Sequence, residues 1–118
     1  QFAFSNTGTL VYLSGYLQDS TYPVQSLDAG GKTTPLIAQP GLYSSPRFSP
    51  DGKRLAYIAA GSKGSDVWVH DLDRGSSIQV TFLGRVNSEV AWARDSKHLV
   101  YSDGASLWWT RADGSGER

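Results

Sequence analysis

Apolar residues recur along this chain in short alternating runs rather than in helical stripes. Leu55, Tyr57 and Ala59 alternate with Ala56 and Ile58, so a strand over this run is apolar on both faces. Phe2 and Phe4, Pro46 and Phe48, and Val90 and Trp92 fall on alternate positions, each pair sharing one face of a short strand. The runs are about four to seven residues long, rich in Val, Ile, Tyr, Trp and Phe, and bounded by Gly, Asp, Ser or Pro. That is the spacing of strands and turns.

The runs also repeat. Gln1–Gly8, Ser45–Gly52 and Glu89–Ser96 align, with Phe4, Phe48 and Trp92 each 44 residues apart. After the turn each copy resumes an apolar stretch, at Leu10–Tyr12, Leu55–Tyr57 and Leu99–Tyr101. A third match joins Val67–Asp71 to Leu107–Arg111, with a weaker counterpart in Val24–Asp28. A fourth joins Thr34–Ile37 to Ile78–Thr81, and the last copy does not reach it. The pattern predicts eleven strands, four in each of two copies and three in the last, with no helix longer than one turn.

A sheet apolar on both sides must be covered on both sides. Repeats of about 40 to 45 residues with four strands each meet that need by stacking around an axis, as the blades of a β-propeller. The predicted fold is all-β: three tandem four-stranded antiparallel blades over 1–40, 41–84 and 85–118, the last without its outer strand. Phe48 and Trp92 are expected to be buried equivalents. Pro50-Asp51-Gly52 has the chemistry of a tight hairpin, because Pro presets φ, Asp bonds the nearby backbone and Gly accepts a positive φ. Ser96 replaces that Gly in the third copy, at a cost of about 1 kcal/mol if the left-handed conformation is kept.

Composition narrows the function. The 118 residues carry 11 Lys plus Arg against 11 Asp plus Glu, so there is no cationic surplus to displace counterions from a nucleic acid or to hold an anionic membrane surface. There is no cysteine, hence neither disulfides nor thiolate metal sites, and the redox compartment is not readable. No apolar run approaches the roughly 20 residues of a membrane helix, and Gln1–Phe4 does not have the basic opening of a signal peptide.

Motifs that suggest chemistry fail on inspection. Gly31-Lys32-Thr33 has the end of a phosphate loop, but Ser26 stands where the first Gly is required and Pro35 follows where a helix should start. Asp71, Asp73 and Gly75 suggest a calcium loop without its terminal bidentate Glu, so a turn between the outer strands is the simpler reading. Asp66 stays available to a site assembled in three dimensions. His70 and His98, the two histidines, have no partners at metal-ligand spacing, and there is no Gly-x-Ser-x-Gly elbow. Of the four tryptophans, Trp68 and Trp108 hold matching strand positions that suit blade packing, whereas Trp109 points the opposite way and is expected to be exposed. No catalytic residue, metal or cofactor is expected.

Ser49-Pro50-Asp51-Gly52-Lys53-Arg54-Leu55-Ala56, followed by Asp66-Val67-Trp68-Val69 and Asp71-Leu72, resembles the TolB-like propeller repeat. The stretches Gly8–Tyr12, Ser45–Lys53 and Ala112–Arg118 resemble more narrowly the propellers attached to bacterial serine/threonine kinases. Gln25 and Ser26 depart from that group's more apolar strand, and no kinase catalytic motif is present. The resemblance implies a six-bladed ring, of which three blades are half, a sensor or interaction role, and a periplasmic or otherwise extracytoplasmic place.

The expected function is therefore non-catalytic recognition of a protein or small ligand. In a propeller the blade-to-blade loops and the turns between second and third strands share one rim, which puts Tyr43, Ser44, Asn87 and Glu89 at the channel mouth. The 16–22 and 61–65 loops lie farther out. The rival readings are the propeller portion of a larger enzyme, gating a peptidase or hydrolase, and a self-assembling half-propeller with no ligand. The expected partners are a second copy closing the ring as a homodimer, or the rest of a longer propeller chain.

Overall fold

The computed structural model describes residues 2–4, 10–13, 22–27, 33–41, 43–61, 64–86 and 89–114, and these form eleven strands in three antiparallel sheets. The first sheet runs in the order β1 (Phe2–Phe4), β2 (Leu10–Leu13), β3 (Tyr22–Leu27) and β4 (Thr33–Gly41). The second has β5 (Tyr43–Phe48), β6 (Arg54–Gly61), β7 (Gly64–Asp71) and β8 (Ser76–Gln79). The third has three strands, β9 (Val90–Trp92), β10 (His98–Ser102) and β11 (Leu107–Arg111). Each sheet is an up-and-down meander, and the first strands β1, β5 and β9 lie side by side from one sheet to the next. Among the described residues there is no helix long and apolar enough to cross a membrane.

The two-sided strand β6 explains the stacking. Leu55 is fully buried against Val11 of the first blade, with Phe48 and Tyr43 around them. Ala56 and Ile58 face the other way and, with Val67, Val69 and Val80, pack on Val90, Leu99, Tyr101 and Ala112. Each fully buried Val or Leu at these seams contributes about 1.5–3 kcal/mol through burial. Phe48 and Trp92 hold equivalent places, each on the face toward the preceding blade, but both are half-buried rather than buried. For Trp92 the reason is polar: its indole N–H donates to the Arg47 carbonyl at 2.9 Å, and the Arg54 guanidinium lies 5.2 Å over its ring.

The turns follow their chemistry. Asp51 accepts from the Ser49 hydroxyl at 2.6 Å and the Lys53 N–H at 3.0 Å, and Gly52 takes φ 74°. Ser96 keeps the left-handed backbone at φ 59° without glycine. Its hydroxyl accepts the Asp51 N–H of the neighbouring blade at 3.1 Å, a contact that a Gly could not make, and its backbone carbonyl accepts from Arg54. Asp71 accepts the N–H groups of Asp73 and Arg74, both at 3.0 Å, as a turn residue does. Thr33 opens a strand where a phosphate loop requires a helix, and Gly31 and Lys32 lie outside the described residues.

Candidate functional site

The rim that carries the blade-to-blade loops is fixed by two carboxylates. Asp66, 6% exposed near the start of β7, accepts the Thr81 hydroxyl at 2.7 Å, the Leu83 N–H at 2.8 Å and the Gly84 N–H at 3.0 Å. The Thr81 oxygen in turn accepts the Val67 N–H at 3.0 Å, closing a ring of bonds between β7 and the loop that leaves β8. Asp66 is thus spent on architecture, and its oxygens are committed to the loop rather than to a ligand. The loop then adds backbone bonds of its own: Ser65 and Arg85 form a parallel bridge, and the Val86 N–H donates to the Ser65 carbonyl at 3.0 Å.

Asp103 does the same for the turn between β10 and β11. It accepts the N–H groups of Ala105 at 2.9 Å and Ser106 at 2.8 Å, the Trp108 indole N–H at 3.0 Å, and faces the Arg85 guanidinium at 3.3 Å. The Ala105 and Ser106 N–H groups, then the Trp108 and Arg85 donors, pull its carboxyl down to about 2. A carboxyl lowered on folding adds stability that is present above its unfolded value near 4 and is lost as pH falls through the folded one. Urea melts between about pH 5 and pH 2 should therefore show the native chain losing more stability than Asp103→Asn. Parallel pH profiles for the two proteins would contradict this role.

Against this frame the expected mouth residues take these places. Tyr43 opens β5, half-buried, with its ring edge-on to Tyr57 at 5.5 Å, and burial raises its hydroxyl above the ordinary tyrosine range. Ser44 is half-buried beside it and opposite Ile58. Glu89 precedes β9 with its side chain 78% exposed, 3.8 Å from Arg47. Asn87 lies outside the described residues. The inner strands are joined beneath by the Val90 N–H donating to the Ser45 hydroxyl at 3.3 Å, where Ser45 takes φ 53° in a bulge between Ser44 and Arg47. An exposed ion pair such as Arg47–Glu89 is worth about 0–1 kcal/mol, so either partner can exchange it for a ligand at little cost.

The histidines have local explanations. His70 is buried with Nδ1 2.8 Å from the Ser77 hydroxyl of β8, and burial lowers its pKa. His98 has Nδ1 2.7 Å from Asp95 and stacks on Trp109 at 4.8 Å. Among the described residues no three His, Asp or Glu side chains converge as metal ligands would. Trp109 is 54% exposed, as its opposite orientation to Trp108 implies.

No profile of a described protein family matches the chain. Over 91 residues it is 33% identical to the Tol-Pal system protein TolB of Pseudomonas putida, an alignment covering 75% of this chain and 21% of that protein. A solved structure of putative TolB from Agrobacterium tumefaciens superposes with a TM-score of 0.77 at 19% identity, covering 98% of this chain and 46% of that one. The chain is similar to a segment of TolB. It spans about a fifth of the length of the curated TolB proteins it matches. The fold extends to peptidases: acylaminoacyl peptidase of Pyrococcus horikoshii gives a TM-score of 0.70 at 19% identity, over 97% of this chain and 23% of the peptidase.

Arg47, Arg85 and Asp103 belong to the rim although the repeat does not single them out. Their signal is local: Asp103-Gly104 has turn chemistry between two apolar runs, and Arg47 lies one residue before Phe48 on the inner strand.

Proposed function

We propose that this chain is a non-catalytic recognition module, a segment of a TolB-like propeller whose rim binds a protein or small ligand through Tyr43, Ser44, Asn87 and Glu89. The observation that carries the reading is the rigid loop frame set by Asp66, Arg85 and Asp103 beside an accessible Glu89 and Arg47. A preformed rim lowers the ordering cost of binding. A random peptide array probed with the labelled chain should retain a subset of peptides, and Tyr43→Ala with Glu89→Lys should reduce that signal at least tenfold. Equal retention by the double variant would remove the rim from the reading. Likeness to acylaminoacyl peptidase supports a second reading, the propeller of a larger peptidase. The coding sequence on either side of this chain separates the two, a fused peptidase domain favouring the second reading and its absence the first.

The blades are assigned as 1–40, 41–84 and 85–118, and the setting, by resemblance, is extracytoplasmic. The narrower likeness to kinase-attached propellers rests on the stretches at Gly8, Ser45 and Ala112. A comparison between blades supports ring closure by a second copy. Val67 and Val69 are 0% and 3% exposed beneath the third blade, whereas Leu107 and Trp109, their counterparts in that blade, are 78% and 54% exposed. A face built to be covered is covered most simply by the first blade of a partner, with two equivalent seams making six blades. Light scattering after size exclusion should give about twice the chain mass of 12.8 kDa. A monomer at all folded concentrations would exclude the dimer.

A further inference from the structure

Trp68 and Trp108 hold the same place in successive blades, each paired with a tyrosine of the strand before it, Tyr57 and Tyr101. Their indole groups meet different surroundings. At Trp108 the N–H donates to Asp103 at 3.0 Å, and the Arg85 guanidinium lies 3.3 Å from that carboxylate. By the repeat, Lys63 stands for Asp103, five residues before its tryptophan, and Gly41 stands for Arg85, 44 residues earlier. Neither has a side-chain acceptor. Among the described residues the indole N–H of the half-buried Trp68 has no hydrogen-bond partner.

Gln79 stands directly opposite. It pairs with Trp68 across β7 and β8, which sets their Cβ atoms about 4.5–5.5 Å apart. The Gln79 amide N–H donates to the Thr81 carbonyl at 2.9 Å, and because a carbonyl can only accept, the side-chain oxygen is the atom left over. Both residues, with Ala60, Gly61, Gly64 and Asp66, line a cavity of about 200 Å³ in the second blade. Trp68 and Gln79 share the face turned to the first blade, the face on which Leu55 meets Val11.

That volume is below the roughly 300 Å³ at which small-molecule sites begin, so the cavity suits one side chain. The occupant must accept from the indole N–H and donate to the Gln79 oxygen. A guanidinium or ammonium has no acceptor, and a carboxylate has no donor and meets the Asp66 carboxylate in the same wall. A hydroxyl offers both from one atom, whereas a carboxamide offers them from two, matching two groups on two strands. We infer, resting on the reading of the rim as protein-binding, that this cavity is an anchor pocket for an Asn or Gln side chain of a protein partner.

N-acetylglutamine methylamide is the probe, added to the isotope-labelled 118-residue chain while the four indole N–H resonances are followed by NMR. The Trp68 signal should move saturably at millimolar probe, and those of Trp92 and Trp108, already bonded, should stay. Gln79→Leu should weaken the response about fivefold, the worth of one hydrogen bond. If that variant folds poorly, the norleucine and glutamate analogues of the probe make the same comparison on the native chain, and both should leave Trp68 unmoved. No movement, or equal movement of Trp68 and the exposed Trp109, would overturn the inference. A stronger response to methyl glucoside would overturn it too, by giving the cavity to a sugar. A silent Trp68 beside retained array peptides removes this pocket and leaves the rim reading; a responsive Trp68 with no retained peptide does the reverse.

Discussion

Asp66→Ala should destabilise the chain by about 3 kcal/mol or more in urea melts followed by tryptophan fluorescence. The carboxylate receives a hydroxyl and two backbone N–H groups, and it does so at a site 6% exposed, where water does not readily replace it. Truncation leaves those donors unsatisfied at a cost of about 1–3 kcal/mol for each that stays buried. The Thr81 hydroxyl, which also holds the Val67 N–H at 3.0 Å, is then released to reorient. Asp66→Asn keeps one carbonyl oxygen and should lose less. A loss below about 1 kcal/mol for the alanine variant would mean that the loop is held by its own backbone bonds alone.

Gly64→Ala is the second large effect, expected at about 2–4 kcal/mol. Gly64 has φ 111°, where an L side chain is strained, and a Cβ there would lie 1.9 Å from the Gly84 carbonyl oxygen and 2.7 Å from its carbon. Both obstacles are backbone, so relief requires the loop itself to move. Gly75→Ala is the control: φ is 69° but a Cβ meets nothing within 4 Å, so only the backbone penalty of about 1 kcal/mol remains. Similar melts for the two alanine variants would show that the close approach of Gly64 to Gly84 does not matter. Since Gly64 and Asp66 both hold the 83–84 segment, the double variant should lose less than the sum of its parts.

These two residues mark where sequence reasoning stops. The strands were legible because burial on both faces leaves a period-2 pattern in Leu55–Ile58, and the 44-residue spacing places its equivalents. The loop from Val80 to Gly84 has no such period. Its order comes from a carboxylate 15 to 18 positions upstream, a pairing that no local pattern announces. Ser96 shows the same limit, since its departure from glycine reads as a defect until Asp51 of the neighbouring blade is seen to use its hydroxyl. Trp92 reads as a core residue by spacing, but its indole N–H seeks the Arg47 carbonyl and keeps the ring half-buried. For the proposed mouth residues topology is what suggests a rim position, whereas the Arg47 and Arg85 ion pairs require three dimensions.

Three bonds between the second and third blades, Asp51 N–H to Ser96, Val90 N–H to Ser45 and the Trp92 indole to the Arg47 carbonyl, all join residues 45 apart. Each links a point in one copy to the next position of the adjacent copy. Cohesion then behaves as a one-dimensional stack, in which each unit is stabilised by its neighbours and copies can be gained or lost without redesigning the rest. Unfolding in such a stack proceeds by fraying from the outer units, and the middle blade, clasped on both sides, is the last to open to amide exchange.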